Sequence, residues 1–312
     1  MSRPETDGVL ALDVGGTKVA AAFVDHDGQI RARQLFATGE AHDADELFDA
    51  VVEALRTVGR SGSFGAVGVG CGGPMVWPQG LVSPLNIAAW RGFALRERLA
   101  VELGVPVRLH NDAVAMTVGE HWSGAGRGHD NLLGMVVSTG IGGGLVLDGR
   151  LIDGHTGNAG HVGHVVVEPD GPTCACGGVG CLEAVASGRS TVRLARLAGW
   201  AAPPGAGGRE LADDARAGDV IAGAAFARTG RALGRGIASA VSLLDLSVVV
   251  VGGGLAQAAD LIGPSLATEY AHRAGLEFAR QPRVRWAQLG PDAGLVGAAA
   301  LWQAGERYWG GD

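Results

Sequence analysis

The sequence predicts an α/β protein with mixed sheets, in which one three-strand unit is used twice. Three observations carry this. Strand-like and helix-like patterns alternate along the chain. The series strand, glycine turn, strand, Asp-Gly, strand occurs at residues 8–35 and returns at 132–153, which reads as an internal duplication at low identity. The 54 glycines among 312 residues fall in clusters, where tight turns or phosphate-binding loops would need them. Two such halves can set their glycine hairpins opposite each other across a cleft.

The elements follow in order. GVLALDV is an apolar strand, GGT breaks it, KVAAAFV resumes, and Asp27-Gly28 turns the chain into QIRARQLF. A helix is expected at about 43–58, started by an Asp43/Glu46 capping box and presenting Leu47, Val51, Leu55 and Val58 on one face. A buried strand at 65–70, a helix at 93–103 and a strand at 105–109 lead to His110-Asn111-Asp112. The second half repeats the opening: LLGMVVS, the glycine turn TGIGGG, LVL, Asp148-Gly149, RLID. A long Ala/Gly-rich helix near 219–244, a strand at 248–251, another helix, a strand at 284–287 and a closing helix from about 292 to 305 complete the chain.

Composition narrows the function. Hydrophobic residues make up 47% and charged residues 18%, the balance of a globular enzyme rather than a disordered chain. A formal net charge of −7 disfavours a nucleic-acid surface, which needs a basic patch. No apolar run reaches the length of a membrane span, and MSRPETDG is polar rather than a signal peptide, so a cytoplasmic protein is expected.

The stretch from His155 to Arg189 holds Cys174, Cys176 and Cys181 within eight positions, with His161 and His164 upstream. Thiolates at C-x-C-x4-C spacing with an imidazole nearby can close a tetrahedral shell around zinc. Four protein ligands leave no open position, so the metal would be structural. A disulfide or separate core thiols are the alternatives. The motifs AGHVGH, CACGGVGCLE and ASG resemble the signature of the ROK family of repressors, open-reading-frame proteins and sugar kinases, with the resemblance running from about residue 9 to 302. It implies an actin-like or hexokinase-like duplicated fold. A smaller domain would occupy 1–118 and be joined by the C-terminal helix from about 295 to 312, and a larger one would occupy 119–294. It further implies that His164 joins Cys174, Cys176 and Cys181 on zinc, and that Glu183 binds sugar hydroxyls. One position departs: the family has glutamate where His161 stands. H-x-G-H, with DGP before the cysteines, also resembles the bacterial N-acetylmannosamine kinases of that family.

The remaining chemistry sits in three loops. Asp13-Val14-Gly15-Gly16-Thr17-Lys18 is a glycine hairpin whose amides can meet phosphate, though it lacks the P-loop spacing and a plain hairpin is the alternative. Its counterpart is Ser138-Thr139-Gly140-Ile141-Gly142-Gly143-Gly144. The resemblance implies that both grip ATP, with Asp13 near Mg2+, and that Gly253 and Gly254 contact adenosine; alone, the latter pair is a strand-to-helix turn. Asp112 follows a strand's C-terminal end, where α/β sheets place ligands, and a helix N-cap is the competing role. The resemblance implies that Asp112 is the general base for the sugar hydroxyl and that Asn111 fixes a neighbouring one. Gly73 and Asn86 lie in loops expected at the cleft mouth, where Asn86 either meets the sugar or only shapes a turn. Cys71 reads as a core thiol, and His26, His42, His121, His129 and His272 as surface or structural.

The leading expectation is an ATP-dependent kinase acting on the 6-hydroxyl of a hexose, glucose first and N-acetylmannosamine as the alternative, assembled as a homodimer or larger homo-oligomer. A repressor would carry a helix-turn-helix ahead of residue 9, and a non-catalytic sensor would be expected to lose Asp112 or the loops.

Overall fold

The structure, a computed structural model, describes residues 6–40 and 43–309; His42 lies outside them. Its first sheet is built from β1 (Gly8–Val14), β2 (Lys18–Asp25) and β3 (Ile30–Ala37), an antiparallel meander. After α1 (Ala44–Gly59), β4 (Phe64–Cys71) pairs parallel to β1. The short hairpin β5 (Met75–Val76) and β6 (Leu81–Val82) and helix α2 (Leu95–Leu103) precede β7 (Val107–Asn111), parallel to β4. Helix α3 (Asp112–Ser123) follows without a break. The sheet order is β3-β2-β1-β4-β7.

The second sheet copies that order. It comprises β8 (Leu132–Val137), β9 (Ile141–Leu147) and β10 (Arg150–Leu151), then β11 (Val248–Gly252) and β12 (Arg283–Trp286). The strands stand as β10-β9-β8-β11-β12, with β8, β11 and β12 parallel. Between β10 and β11 run α4 (Leu182–Ala186), α5 (Gly188–Leu197), α6 (Gly208–Arg216) and α7 (Val220–Leu244). Helix α8 (Ala259–Arg273) precedes β12, and α9 (Ala293–Gln303) and α10 (Gly305–Trp309) end the described chain.

Contacts divide the chain into two compact units. One takes the residues up to Asp130, Gly144–Ala159 and the chain from Gln288 on; the other takes Asn131–Gly143 and Gly160–Ala287. In the first, β1 is buried on both faces. Leu10, Leu12 and Val14 join Leu47, Val51, Leu55 and Val58 of α1, while Val9 and Ala11 meet Leu295, Ala298 and Ala299 of α9. The α9 side is lined with small residues because backbones touch there. A Cβ on Gly68 would stand 1.7 Å from the Ala298 carbonyl oxygen, and one on Gly297 would stand 1.8 Å from that of Ala115. In the second unit the Ala/Gly content of α7 has a similar cause, since Gly230 and Gly234 lie against the backbone of α8.

Several boundaries differ from expectation. Asp43 caps α1 through Asp45 and Glu46 N–H groups, as its spelling implies. The helix expected from residue 93 starts at Leu95, because Phe93 exchanges both backbone hydrogen bonds with Val82. The strand expected at 105–109 runs Val107–Asn111, in the register that pairs Cys71 with Asn111. The second glycine turn is shorter than TGIGGG suggests. Gly142, Gly143 and Gly144 lie inside β9, where a Cβ on Gly143 would meet the Gly134 carbonyl at 2.7 Å and one on Gly144 would meet the Thr117 hydroxyl at 2.9 Å. The closing helix is interrupted at Ala304.

Candidate active site and metal centre

Three neighbouring strands of the first unit end at one edge. Parallel pairing sets Val14 beside Cys71 and Cys71 beside Asn111, so the segments after β1, β4 and β7 emerge together. Asp13, Gly73, Asn111 and Asp112 meet there. Asn111 is the N-cap of α3, its Oδ1 accepting the Ala113 N–H at 3.0 Å. The capping role weighed for Asp112 therefore belongs to its neighbour. Asp112 is the first helical residue, and its Oδ1 also accepts the Ala113 N–H, at 2.9 Å. A Cβ on Gly73 would lie 3.4 Å from Nδ2 of Asn111, close enough that the glycine leaves that amide room.

Asp13 is pressed against Gly294 in the first turn of α9, where a Cβ would come within 2.4 Å of its Oδ2. Burial first, then the Asp112 carboxylate, raises the Asp13 pKa to about 6, with Lys18 pulling weakly the other way. Two carboxylates that feel each other's charge in this way could share a cation. The β1–β2 hairpin is closed by the Gly15 N–H donating to the Lys18 carbonyl at 3.0 Å, and Thr38 Oγ1 donates to the Gly16 carbonyl at 3.1 Å. Asn86 sits over Gly16, its Nδ2 2.5 Å from where a Cβ would be. Asn86 thus shares this edge with the hairpin. Arg91 shapes its loop by donating to the carbonyls of Pro84 at 2.6 Å and Ile87 at 2.8 Å. Nothing in the sequence marks Arg91 for that role. Cys71 is fully buried, as a core thiol should be.

In the second unit β8 and β11 run in parallel, and their C-terminal ends bring the second glycine turn beside Gly253 and Gly254. Ser138 donates its N–H to the Gly140 carbonyl at 2.9 Å, and its own carbonyl accepts the Gly188 N–H at 2.7 Å. Gly253 has φ 91°, and a Cβ would strike the Val137 carbonyl at 2.5 Å, so only glycine fits. These backbones border a cavity of about 510 Å³ lined also by Thr139, Arg189, Arg209 and Leu255. The arginines went unread in the sequence; their only signal is a position next to Gly188 and Gly208. A larger cavity of about 770 Å³ lies along Val166, Glu168, Arg235 and Arg273. Its arginines already face Glu168 and Glu269, so the smaller one suits a phosphate-bearing ligand better.

Glu183 is the second residue of α4, and it accepts the Ile141 N–H at 2.8 Å beneath the same glycine turn. A Cβ on Gly140 would meet its Oε2 at 2.6 Å. His161 is exposed at the start of the 3-10 turn Val162–His164, with its ring 6.3 Å from that of His164 and nearly parallel.

The metal ligands expected at 164, 174, 176 and 181 converge. One donor atom from each of His164, Cys174, Cys176 and Cys181 lies within 4.8 Å of the others. Cys176 and Cys181 sulfurs are 3.7 Å apart, and Cys174 Sγ is 3.8 Å from His164 Nδ1. A tetrahedral zinc with Zn–S of about 2.3 Å demands sulfur separations of about 3.8 Å, so the donor set fits the ion. The knuckle is made by backbone: Cys174 N–H to the Gly178 carbonyl at 2.8 Å, Gly177 N–H to the Cys174 carbonyl at 3.0 Å, with Gly177 at φ 90° and Gly180 at φ 71°. All four cysteines are free thiols, which removes the disulfide alternative. Burial and the adjacent thiols raise the Cys181 pKa, the state that a bound cation reverses.

A three-strand opening used twice, each copy with a glycine turn between its first two strands and extended by two parallel strands, defines an actin-like, hexokinase-like α/β protein. Its zinc-type knuckle sits beside one of those turns. The chain belongs to the ROK family, whose profile matches residues 9–305. It is 34% identical over 307 residues to the glucokinase of Streptomyces coelicolor, covering 94% of this chain and 96% of that one. It is 35% identical over 293 residues to the N-acetylmannosamine kinase of Pasteurella multocida, covering 93% and 94%. Among solved structures, a ROK family glucokinase from Streptomyces griseus in complex with glucose and AMPPNP is similar, with a TM-score of 0.82, 35% identity and coverage of 94% and 98%.

Proposed function

We propose that this chain is an ATP-dependent hexose kinase that moves the γ-phosphoryl of ATP to a sugar 6-hydroxyl, with glucose the leading substrate. The convergence of Asp13, Asn111 and Asp112 at the ends of β1 and β7 carries the reading. Asp112 accepts the proton of the 6-hydroxyl as its oxygen attacks phosphorus, while Asn111, Asn86 and the Gly73 loop orient the neighbouring hydroxyls. Glu183 and His161 are assigned to sugar hydroxyls in the same reading. The turns at Gly15–Lys18 and Ser138–Gly142 present amides to phosphate, and Gly253 and Gly254 flank the adenosine. Mg2+ bound beside Asp13 would neutralise the phosphate charge. Zinc on His164, Cys174, Cys176 and Cys181 would hold the loop that carries His161. The proposal includes the division into a smaller domain over 1–118, rejoined by the C-terminal helix, and a larger one over 119–294. The packing of α9 on β1 supports the rejoining. A homodimer or larger homo-oligomer in the cytoplasm belongs to the same reading, and light scattering tests the assembly. Among the described residues no helix is long and apolar enough to cross a membrane.

One observation favours N-acetylmannosamine as a second reading. A carboxylate at 161 would only accept hydrogen bonds, whereas the exposed imidazole of His161 offers a donor that an acyl carbonyl can use. The test is kcat/KM for glucose, mannose and N-acetylmannosamine with ATP, on the native chain and on His161→Glu. The substitution should shift preference away from the N-acetyl sugar. Equal effects on all three would remove His161 from sugar recognition. No turnover of any hexose by the native chain would overturn the kinase assignment.

A further inference from the structure

Two residues before Asp112 stands His110, 1% exposed, with its ring centroid 5.6 Å from that of Trp77. Both ring nitrogens have assigned roles. The Asn111 backbone N–H, which can only donate, points at Nδ1 from 2.8 Å, so Nδ1 is an acceptor. The ring proton therefore lies on Nε2, which donates to Asp153 Oδ1 at 3.0 Å. The other oxygen of Asp153 accepts the indole N–H of Trp309 at 2.8 Å. A proton on Nδ1 would set two donors against each other in a dry site. Asp153 thus selects the one tautomer that lets His110 grip the peptide leading into the Asn111 cap and Asp112.

We propose that His110 is a positioning residue for phosphoryl transfer: its neutral imidazole, held in the Nε2–H form by Asp153, fixes the Asn111 peptide and through it the angle at which Asp112 meets the sugar hydroxyl. The proposal rests on Asp112 being the base. It matters because a misplacement of about 1 Å at a reacting group can cost about a hundredfold in rate. The same contacts would also serve a plain tether between β7, the 153 segment and α10, and the two roles separate cleanly. An asparagine at 110 carries an acceptor near the Nδ1 position and falls short of Asp153. A glutamine reaches toward Asp153 and has no atom at the Nδ1 position.

The experiment compares His110→Asn and His110→Gln with the native chain in a coupled assay with ATP and its best hexose. Positioning requires His110→Asn to keep kcat within about threefold and His110→Gln to lose about 10- to 100-fold in kcat, with KM for sugar and ATP unchanged in both. The reverse order, or equal kcat in the two variants, overturns the role. A readout that does not depend on the variants folding is the ¹⁵N spectrum of the native side chain. It should show a bare Nδ1 and a protonated Nε2; the opposite tautomer overturns the proposal. Trp309→Phe, which leaves Asp153 Oδ1 facing His110, should preserve that spectrum, and loss of the Nε2–H form there would count against Asp153 as the selector. A native chain inactive on every hexose sinks the kinase reading itself. An active native chain whose variants break this pattern sinks the positioning role alone.

Discussion

At the scale of single residues, Asp112 and Asp13 are two carboxylates at one sheet edge in different surroundings. Asp112 begins α3, and Asp13 is half-buried and pressed against Gly294, with its pKa raised to about 6. Asp112→Asn should leave sugar and nucleotide affinity within about threefold while kcat falls by ~10²–10⁴, the usual loss for a positioned base. Near-native turnover in that variant would exclude Asp112 from proton transfer. Asp13 makes a stability prediction as well. A carboxylate whose folded pKa lies above its unfolded value binds more protons when folded, so stability falls as pH rises from about 4 to about 6. Asp13→Asn removes that burden. It should raise the unfolding free energy of the metal-free chain at pH 7 by on the order of 3 kcal/mol, and leave it nearly unchanged at pH 4. A variant no more stable at pH 7 than the native chain would mean that the carboxylate is not strained where it sits. The same variant should lose turnover under the proposed role of Asp13 beside Mg2+.

Among the elements, the knuckle from Val162 to Cys181 depends most on something outside the polypeptide. Little of its apolar content is buried: Val165, Val166 and Val179 are exposed, and Cys174 and Cys181 cluster only with Ala184 of α4. Under the proposed zinc assignment, ordering it falls to the metal. Freshly purified protein should contain one zinc per chain, and Cys181→Ser should lose it. Amide exchange should then rise across 162–181, while the buried, mutually paired strands β8 and β11 stay protected. Elemental analysis without zinc would end this assignment. Exchange that rose uniformly over the whole unit would mean instead that the knuckle is part of the main core.

For the molecule as a whole, the end of the chain completes its beginning. Helix α9 meets β1 and β4 through small side chains, with Gly68 and Gly297 at van der Waals contact with opposing backbones. Gly297→Leu has nowhere to go and should cost upwards of ~3 kcal/mol, beyond the ordinary range for overpacking. Gly275→Ala, where a Cβ meets nothing within 4 Å, should change stability by less than about 0.5 kcal/mol. Thermal melts of the two variants test the contrast; a mild effect at 297 would mean that α9 can move away from α3.

Much of this was legible in the amino-acid order because it is local. Alternating apolar runs, Asp-Gly turns and the 25-residue span of α7 announce themselves through short-range periodicity. So do the strand–turn–strand units whose repetition reveals the duplication. The cysteine spacing announced a metal knuckle for the same reason, since its backbone turns lie within eight residues. What stayed hidden depends on partners far away in sequence. The glycines of β9 read as a turn because their cause, the carbonyl of Gly134 and the hydroxyl of Thr117, belongs to other elements. Arg91 behind the Asn86 loop, Gly294 against Asp13, and the His110–Asp153–Trp309 chain could not be seen from spacing either. By itself the sequence determined which elements form and which glycine turns and cysteines stand out as candidates. Only the tertiary structure decided which distant backbone and side chain each of those loops leans on, because sheet register and helix packing set those distances and neither is encoded in any short stretch of chain.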